Sequence, residues 1–262
     1  MTSFTMKIIA IIAMTLDHFV FTIGQAGLIN IFNMSMHSSA QIIEIMGDVG
    51  RLAFPLFAFM IAEGSRKTHN IKKYAGRLAI FAIISEPFFY FAHNYKASVT
   101  FKDFLLNLAE LRLENVFFTL AISVFAIYIC QIIKSKSPEK WKYWFIPIML
   151  AFGLIASFFN MDYSIYGVIL IMALYVCRSR KASIIVIILW SIIVYGIGGL
   201  IGSELCWPQI QSVLCRTVGA ALSCLPIWFY NGKRGRNTKW LFYIYYPAHL
   251  FILAVIGSML LA

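Results

Sequence analysis

An aspartate and a histidine stand side by side within the first long apolar run of the chain. Asp17 and His18 fall in residues 8–22, where the other side chains are apolar or threonine. An ionisable side chain costs roughly 2.5–3.5 kcal/mol at the centre of a lipid-spanning helix, so by default it marks a functional site. Histidine also exchanges protons near neutral pH. The pair predicts acid–base chemistry or proton handling inside a membrane; the structural alternative is a polar clamp between helices.

More polar residues lie within or at the ends of apolar runs and join the pair as candidate catalytic residues. They are Arg51, Glu86, Asn115, Asp162 and His249. A guanidinium stays charged when buried, so Arg51 needs an acid; the candidates at its predicted depth are Asp48, Glu86 and Asp162. His249 either meets His18 across a helix bundle or bonds to a backbone carbonyl. Snorkelling of Arg51 and a turn-capping role for Asp162 are the structural alternatives.

Two groups of cations with neighbouring polar residues predict contacts with phosphate. The first runs from Glu63 through Lys73 to Arg77, and the second is the segment Tyr230-Asn231-Gly232-Lys233-Arg234. An Asn-Gly turn beside cations can hold an anion through backbone N–H groups and point charges. Taken alone, both groups are better explained by the ordinary excess of cations on the cytoplasmic side of membrane proteins.

The composition excludes an ordinary soluble domain. Hydrophobic residues make up 61% of the 262 residues and charged residues only 13%, far from the balance of soluble domains. The net charge of +11 comes from short clusters between apolar runs, which argues against nucleic-acid binding. The five cysteines form no Cys-x-x-Cys pair and no His/Cys ligand pattern, so no metal site is expected. We predict one all-α polytopic transmembrane domain over residues 1–262.

Apolar runs of about 20 residues predict nine membrane spans. Their bounds are 7–28, 47–65, 74–94, 115–134, 143–160, 163–177, 182–202, 212–230 and 240–261. Of the 22 Lys and Arg residues, 17 then share one side, which predicts a cytoplasmic N-terminus and an outer C-terminus. Asp17 and His18 would lie about 10 residues into the first span, roughly 15 Å deep. Cys206 and Cys215 share an outer connection, where a disulfide would form in an oxidising compartment.

The order of these motifs along the chain resembles the TraX family. The resemblance covers nearly the whole chain, apart from residues 96–114 and 182–211. It rests on residues 7–18 ending in Asp17-His18, 51–64 from Arg51-Leu-Ala-Phe-Pro to Glu63-Gly64, 73–78 with Lys73-Tyr74 and Arg77, Ser85-Glu86-Pro87-Phe88, 115–119 from Asn115, Met161-Asp162-Tyr163, Tyr230-Asn231-Gly232-Lys233-Arg234-Gly235 and 243–249 ending in Tyr246-Pro247-Ala-His249.

This resemblance implies an activity, a donor and a location. The family is named for the F-pilin acetylase, which acetylates the pilin N-terminus during assembly of conjugative pili, and it is similar to a broader class of transmembrane acyltransferases. A multi-pass enzyme of the bacterial cytoplasmic (inner) membrane would use acetyl-CoA as co-substrate, with no metal. Its acceptor would be an amine or hydroxyl of a pilin, an envelope glycan or a small amine.

The resemblance also implies roles for the candidate residues. The intramembrane catalytic histidine of the broader class corresponds to His18, which would act as general base or, alternatively, carry the acetyl group covalently. On physical grounds, Asp17 or Glu86 would then orient His18, and Arg51 and Asn115 would stabilise charge or steer the acceptor. Coenzyme A would contact Glu63, Lys73, Arg77, Tyr230, Asn231, Lys233 and Arg234. Two other hypotheses use the same residues: a proton-coupled transporter or flippase would need the buried acids and histidines as a proton path, whereas a non-catalytic pilus assembly factor would need them only for packing.

Overall fold

The structure is a computed structural model that describes residues 1–94, 100–202, 206–236 and 239–261. Within these ranges it contains helices and no strand, which confirms the predicted all-α class. The α-helices are α1 (Ser3–Thr22), α2 (Gly24–Phe32), α3 (Met36–Gly50), α4 (Ala53–Lys67), α5 (Ile71–Asn94), α6 (Phe101–Ala109), α7 (Val116–Lys136), α8 (Trp141–Phe158), α9 (Ser164–Val176), α10 (Arg180–Ser191), α11 (Gly198–Leu200), α12 (Trp207–Ala221), α13 (Cys224–Trp228) and α14 (Lys239–Leu261). A π-helical segment, Ile192–Ile197, joins α10 to α11.

Short polar side chains mark where several helices begin. Each accepts a hydrogen bond from an N–H group of the first helical turn, which has no partner within the helix. These capping residues are Thr2, Ser35, Thr100, Asn115 and Ser179. Local sequence therefore sets the starts of α1, α3, α6, α7 and α10.

Eight helical stretches are long and apolar enough to cross a membrane, judged by length and composition within the described ranges. They are Ser3–Thr22, Met36–Lys67, Ile71–Asn94, Val116–Lys136, Trp141–Phe158, Arg180–Leu200, Trp207–Trp228 and Trp240–Leu260. The chain is therefore a multi-pass membrane protein. The sixth predicted span corresponds to α9, whose 13 residues rise about 20 Å and fall short of a hydrocarbon core of about 30 Å.

The first predicted span is two helices rather than one. Gly24 has a φ of +64°, a left-handed conformation that separates α1 from α2. His18 consequently lies one turn from the C-terminal end of α1 and not at the predicted mid-helix position.

The second predicted span is preceded by a helix that the sequence did not indicate. Serine, glutamine and glutamate side chains interrupt the apolar pattern of α3, so hydropathy predicts a connection over most of it. The stretch Met36–Lys67 is broken between α3 and α4 at Arg51 and Leu52. Pro55 explains the break, because it has no N–H group to donate to the carbonyl of Arg51.

Two compact units make up the chain, and each is described by itself. Unit 1 comprises Met1–Phe57, Ala92–Ser98 and Ser179–Ala262, and unit 2 comprises Ala58–Phe91 and Val99–Arg178. Helices α4 and α5 each contribute residues to both units. A single domain over the whole chain stays a prediction.

In unit 1, the start of α1 is held by the loop that follows α13. The N–H groups of Ser3 and Phe4 have no acceptor within α1 because they belong to its first turn. They donate instead to the carbonyls of Lys233 and Arg234, at 2.9 and 3.1 Å. The loop therefore serves as a backbone cap for α1.

The start of α10 lies at the same end of unit 1. One guanidinium nitrogen of Arg180, Nη1, donates to the carbonyls of Trp228 and Tyr230 at 2.9 and 2.8 Å. The starts of α1 and α10 and the end of α13 thus lie together. All three had been predicted to face the same side of a membrane.

In unit 2, the ends of α4, α7 and α9 are grouped in the same way. Nη1 of Arg66, at the end of α4, donates to the carbonyls of Leu174, Tyr175 and Cys177 at 2.7 to 3.0 Å. Gln131, near the end of α7, donates to the hydroxyl of Tyr175 at 3.1 Å. The last carbonyls of α9 have no donor within the helix, and the Arg66 guanidinium donates to them instead.

The start of α9 lies at the start of α7. The N–H group of Asp162 donates to the carbonyl of Glu114 at 3.1 Å, and the hydroxyl of Thr119 donates to the carbonyl of Asp162. Helix α9 therefore runs beside α7 from one end of unit 2 to the other, although it is short.

The predicted disulfide is absent from the structure. Cys206 and Cys215 are both exposed, and they are not bonded to each other. Cys206 immediately precedes α12 and Cys215 lies within it, so about 13 Å of helical rise separates them. A disulfide requires Cα atoms within about 7 Å.

Candidate functional site

The centre of the candidate site is a pair of histidines from α1 and α14 in unit 1. His18 Nδ1 and His249 Nε2 are 2.6 Å apart, and the two rings stack with centroids 4.9 Å apart. Both side chains are buried. Nδ1 of His249 also lies 2.8 Å from the carbonyl oxygen of Tyr245. The structure therefore realises both possibilities that the sequence left open for His249.

These hydrogen bonds fix which nitrogen of each ring carries a proton. A carbonyl oxygen only accepts, so Nδ1 of His249 is protonated and donates to Tyr245. In a neutral ring, His249 Nε2 is then an acceptor, and Nδ1–H of His18 must donate to it. His18 Nε2 is left without a proton. This is the state that a general base requires.

A second contact joins α1 to α14 one turn from the histidines. The hydroxyl of Thr15 lies 2.8 Å from the carbonyl of Ile11 and 2.7 Å from the hydroxyl of Tyr245. Because Thr15 donates to Ile11, the Tyr245 hydroxyl donates to Thr15. The Tyr245 ring stacks on His249 at a centroid distance of 4.9 Å. Tyr245 therefore orients His249 through both its backbone and its ring.

A third histidine lies close to the pair. The ring of His93, at the end of α5, is 6.3 Å from the ring of His18, and that of Tyr246 is 5.8 Å away. His93 also packs against Phe21 at 5.6 Å. Sequence reasoning assigned His93 no role, because it lies at the end of a span without a motif. Histidines from α1, α5 and α14 thus converge.

Asp17 reaches a different neighbour from His18. Consecutive residues on a helix point about 100° apart, and Asp17 Oδ1 lies 3.6 Å from Arg51 Nη2. This acid was not among the three considered for Arg51. A Cβ atom on Gly50 would lie 2.6 Å from Cβ of Asp17, so only glycine fits where α1 meets α3.

Arg51 also lies against two aromatic rings. Its guanidinium carbon is 5.7 Å from the centroid of Phe21 and 5.9 Å from that of Tyr195. Tyr195 belongs to the π-helical segment Ile192–Ile197, and π-helical turns are frequent at functional sites. The predominantly apolar run of residues 182–202 gives no sequence signal for this contact.

Glu86 and Asn115 meet in unit 2 and cap α7. The carboxylate of Glu86 accepts from the N–H groups of Glu114 and Asn115 at 2.8 and 3.2 Å, and from the Asn115 side-chain amide at 2.5 Å. That amide also donates to the carbonyl of Ala82, and its oxygen accepts from the N–H of Phe117. These contacts account for both buried side chains as structural residues of the α7 N-terminus.

Asp162 lies in the turn that leads into α9. Tyr163, the next residue, has a left-handed φ of +59° and immediately precedes the helix. Backbone bonds of Asp162 to Glu114 and Thr119 hold this turn against α7. The structural alternative raised for Asp162 thus accounts for its backbone contacts.

The first cationic group lies in unit 2, where two of its three predicted residues have intramolecular contacts. Glu63 forms ion pairs with Arg66 and Lys67 at 2.8 and 2.6 Å. The guanidinium carbon of Arg77 lies 5.8 Å from the ring centroid of Tyr74. The third predicted residue, at position 73, is exposed.

The second cationic group is the loop that caps α1 in unit 1. The N–H of Asn231 donates to the carbonyl of Met1 at 2.9 Å, and its side-chain oxygen accepts from the N–H of Lys233 at 3.0 Å. Tyr230 is buried, whereas the side chains of Lys233 and Arg234 are exposed. The N–H groups of Asn231 and Lys233 are therefore bonded within the protein rather than open to an anion. An anion would instead contact the exposed cationic side chains of this loop.

Comparison with known proteins places this arrangement in a family. The family model described as TraX protein matches residues 3–257. A "Probable fimbrial assembly protein FimC, serogroup H1" from Dichelobacter nodosus is 29% identical over 261 residues, covering 96% of this chain and 94% of that protein. No solved structure matches the chain. The match over almost the entire length confirms the resemblance drawn from the motifs, and the chain belongs to the TraX family.

Proposed function

We propose that this protein is a transmembrane acetyltransferase that transfers an acetyl group from acetyl-CoA to an amine or hydroxyl acceptor, with a subunit of a surface fibre as the favoured acceptor. The observation that carries the proposal is the buried His18–His249 pair, whose hydrogen bonds leave His18 Nε2 without a proton. A positioned imidazole in this state is suited to take a proton from a nucleophile.

The comparisons support the acceptor class. The relative from Dichelobacter nodosus is named for fimbrial assembly, and the family resemblance implies acetylation of a pilin N-terminus. An envelope glycan or a small amine would present the same nucleophile to His18, so both belong in the test. Related folds host different acceptors, and the site must decide among them.

His18 both takes up and returns the proton that moves in the proposed reaction. Its Nε2 takes a proton from the acceptor amine while the amine nitrogen bonds to the acetyl carbonyl carbon. The bond from that carbon to sulfur then breaks, and His18 returns the proton to the leaving thiolate. An amide and a free thiol result, so atoms and charges balance. Throughout, Nδ1–H of His18 keeps its bond to His249.

Arg51 is the proposed electrostatic partner of the reaction. Arg51 packs on Phe21, which also contacts His93, and His93 lies beside His18. A guanidinium stabilises negative charge developing on an acetyl oxygen. Asp17, 3.6 Å from Arg51, is then a positioning residue for Arg51 rather than for His18. Glu86 and Asn115 cap the start of α7, and we propose no step of the reaction for them.

The donor would enter at the end of unit 1 where α1 and α10 begin. We assign this end to the cytoplasm, because cations predominate on the cytoplasmic side of membrane proteins. Lys233 and Arg234 are the proposed phosphate contacts there, on a loop shaped by Tyr230 and Asn231. The coenzyme A contacts predicted for Glu63, Lys73 and Arg77, in unit 2, stay predictions; within that unit Glu63 and Arg77 have intramolecular partners.

The test is turnover of radiolabelled acetyl-CoA by the full chain in nanodiscs, with a pilin-type peptide, a glucosamine derivative or a small amine as acceptor. We expect the wild type to release thiol and label one acceptor class. His18→Ala should lower turnover by about 10²-fold or more, with acetyl-CoA binding retained. His37→Ala, which changes a histidine in α3, is the matched control.

A non-catalytic fibre assembly factor is the second candidate function, favoured by the printed name of the relative. It predicts that fibre assembly in cells survives His18→Ala and that the purified protein neither binds nor turns over acetyl-CoA. Proton flux across vesicles that depends on His18, again without acetyl-CoA binding, would instead identify a proton-coupled transporter. Either result overturns the acetyltransferase proposal.

A further inference from the structure

A cavity lies beside the loop that caps α1. Its volume is about 380 Å³, and it is lined by Ser179, Arg180, Lys181 and Trp228. The first three residues begin α10, and Trp228 ends α13. None of the four was singled out as a candidate site residue. The volume falls within the range of small-molecule sites, which is about 300 to 1,000 Å³.

The cavity lining offers hydrogen-bond donors that the protein does not use. Among the described residues, the structure records no acceptor for the backbone N–H groups of Arg180 and Lys181. The hydroxyl of Ser179 accepts the N–H of Ala182, the next donor along the helix. The ammonium group of Lys181 is exposed and has no carboxylate partner within the described ranges. Donors without acceptors favour an anionic ligand.

The surroundings of the cavity are cationic without compensating acids. Five cations occur in the chain segments that meet here, namely Arg180, Lys181, Lys233, Arg234 and Arg236. The sequence has no Asp or Glu in residues 1–16, 163–203 or 205–262. A positive potential therefore extends over this end of unit 1.

The remaining lining residue of the cavity, Trp228, presents an aromatic face. Trp228 is 52% exposed, and an indole is the largest flat surface that a side chain offers for stacking. A purine ring stacks on such a face, and a tryptophan beside phosphate-binding cations suits a nucleotide. A lipid headgroup has phosphate but no aromatic base, so it would leave the Trp228 face unused for stacking.

We propose that this cavity binds the phosphorylated adenosine end of the acetyl donor, with Lys181 and the α10 N–H groups on phosphate and Trp228 stacked on the base. The proposal rests on the acetyl-CoA dependence proposed above. It adds a nucleotide subsite built from four residues that the motif reading did not assign.

The experiment measures binding of adenosine bisphosphate and of acetylpantetheine separately, to the full chain in nanodiscs of neutral lipid. Adenosine bisphosphate carries the phosphates and base without the thioester, and acetylpantetheine carries the thioester without them. We expect Lys181→Ala and Trp228→Ala each to weaken adenosine bisphosphate binding by about tenfold, and neither to change acetylpantetheine binding. Arg180 is left intact because it holds the backbone of α13.

Matched controls are Lys142→Ala and Trp144→Ala near the start of α8. Trp144 is 54% exposed, so the pair has the same chemistry and exposure at another helix start. If the cavity variants and these controls affect adenosine bisphosphate equally, or if the wild type does not bind it, the nucleotide subsite is wrong.

Further measurements distinguish the nucleotide subsite from a lipid-headgroup site and from the acetyltransferase proposal itself. Weaker binding of soluble short-chain phosphatidylglycerol by the cavity variants in the same nanodiscs, with nucleotide binding intact, would identify a lipid-headgroup site and overturn the proposal. Turnover that depends on His18 while the cavity variants bind nucleotide normally would sustain the acetyltransferase and reject only the subsite. Nucleotide binding lost in the cavity variants of a protein without turnover would sustain the subsite alone.

Discussion

At the scale of single residues, the site depends on the direction of hydrogen bonds rather than on how many polar groups are present. The backbone carbonyl of Tyr245 determines which ring nitrogen of His249 carries the proton. His249 in turn determines which ring nitrogen of His18 carries its proton. The arrangement resembles the way a carboxylate sets the tautomer of a catalytic histidine. Here an imidazole does so without adding a negative charge to an apolar interior.

Substitution of His249 tests this order of protons. His249→Ala removes the acceptor for His18 Nδ1–H and should lower acetyl-CoA turnover by about 10-fold to 100-fold, because the other His18 tautomer becomes accessible. His249→Gln supplies a carbonyl acceptor and should recover part of the loss. Turnover rates under saturating donor are the measurement. Equal rates for the Ala and Gln variants would contradict tautomer selection.

Glu86 offers a prediction that separates capping from catalysis. Glu86→Ala leaves buried donors of Glu114 and Asn115 without an acceptor, so we expect a loss of about 1–3 kcal/mol in unfolding free energy. Turnover per folded molecule should stay unchanged. Thermal unfolding in detergent and turnover on the same preparation are compared. A stable but inactive variant would restore the catalytic role.

At the scale of helices, close approach and helix-end capping decide the geometry. Gly50 lets α1 touch α3, so that Asp17 can reach Arg51. Arg66 holds the end of α9, which is too short to be fixed by its own hydrogen bonds alone. Neither role shows in hydropathy, because one residue has no side chain and the other looks like part of an ordinary cationic cluster.

Gly50→Ala should separate α1 from α3. The added Cβ would lie 2.6 Å from Cβ of Asp17, and overpacking of this kind costs about 1–3 kcal/mol. Gly76→Ala in α5 is the control, because no atom lies within 4 Å of an added Cβ there. The midpoint of thermal unfolding should fall for the first variant and not for the second. Equal midpoints would mean that the helices do not meet at Gly50.

Arg66→Ala should loosen the end of α9. The carbonyls of Leu174, Tyr175 and Cys177 would lose their shared donor, so the Cys177 thiol should react faster with a maleimide in a chain lacking the other cysteines. Lys67→Ala is the control, since Lys67 is the neighbouring cation and pairs with Glu63 at 2.6 Å. Unchanged labelling in the Arg66 variant would show that packing alone fixes α9.

At the scale of the whole chain, the sequence predicted most helices and few contacts. Long apolar runs identify membrane helices because a helix of about 20 apolar residues spans the hydrocarbon core, and transfer of those side chains into lipid dominates the free energy of insertion. Hydropathy does not indicate α3, because polar side chains interrupt its apolar pattern. It also does not indicate the break at Gly24 or the π-helical segment that carries Tyr195, because both depend on backbone geometry. The sequence alone does not separate a cap from a reactive acid at Glu86, because both use the same buried carboxylate.

The number of crossings remains a prediction that topology mapping can check. Nine crossings place residues 140, 178 and 233 on one side of the membrane and the C-terminus on the other. The two ends of α9 lie at the two ends of unit 2, as this requires. Single cysteines at residues 140, 178 and 233 should react with a membrane-impermeant maleimide only when the reagent has access to the cytoplasmic face of the membrane. Outer labelling at residue 178 would mean that α9 does not cross.

The Glu86 cap has a consequence for biogenesis. Its donors, Glu114 and Asn115, are synthesised 28 and 29 residues after it. Until they emerge from the ribosome, α5 carries a carboxyl group that lipid would not solvate. Helix α5 should therefore wait within the translocon and enter the bilayer together with the start of α7. Nascent chains in which α5 has emerged from the ribosome and residue 114 has not should crosslink to the translocon through α5. Chains arrested after residue 115 has emerged should not.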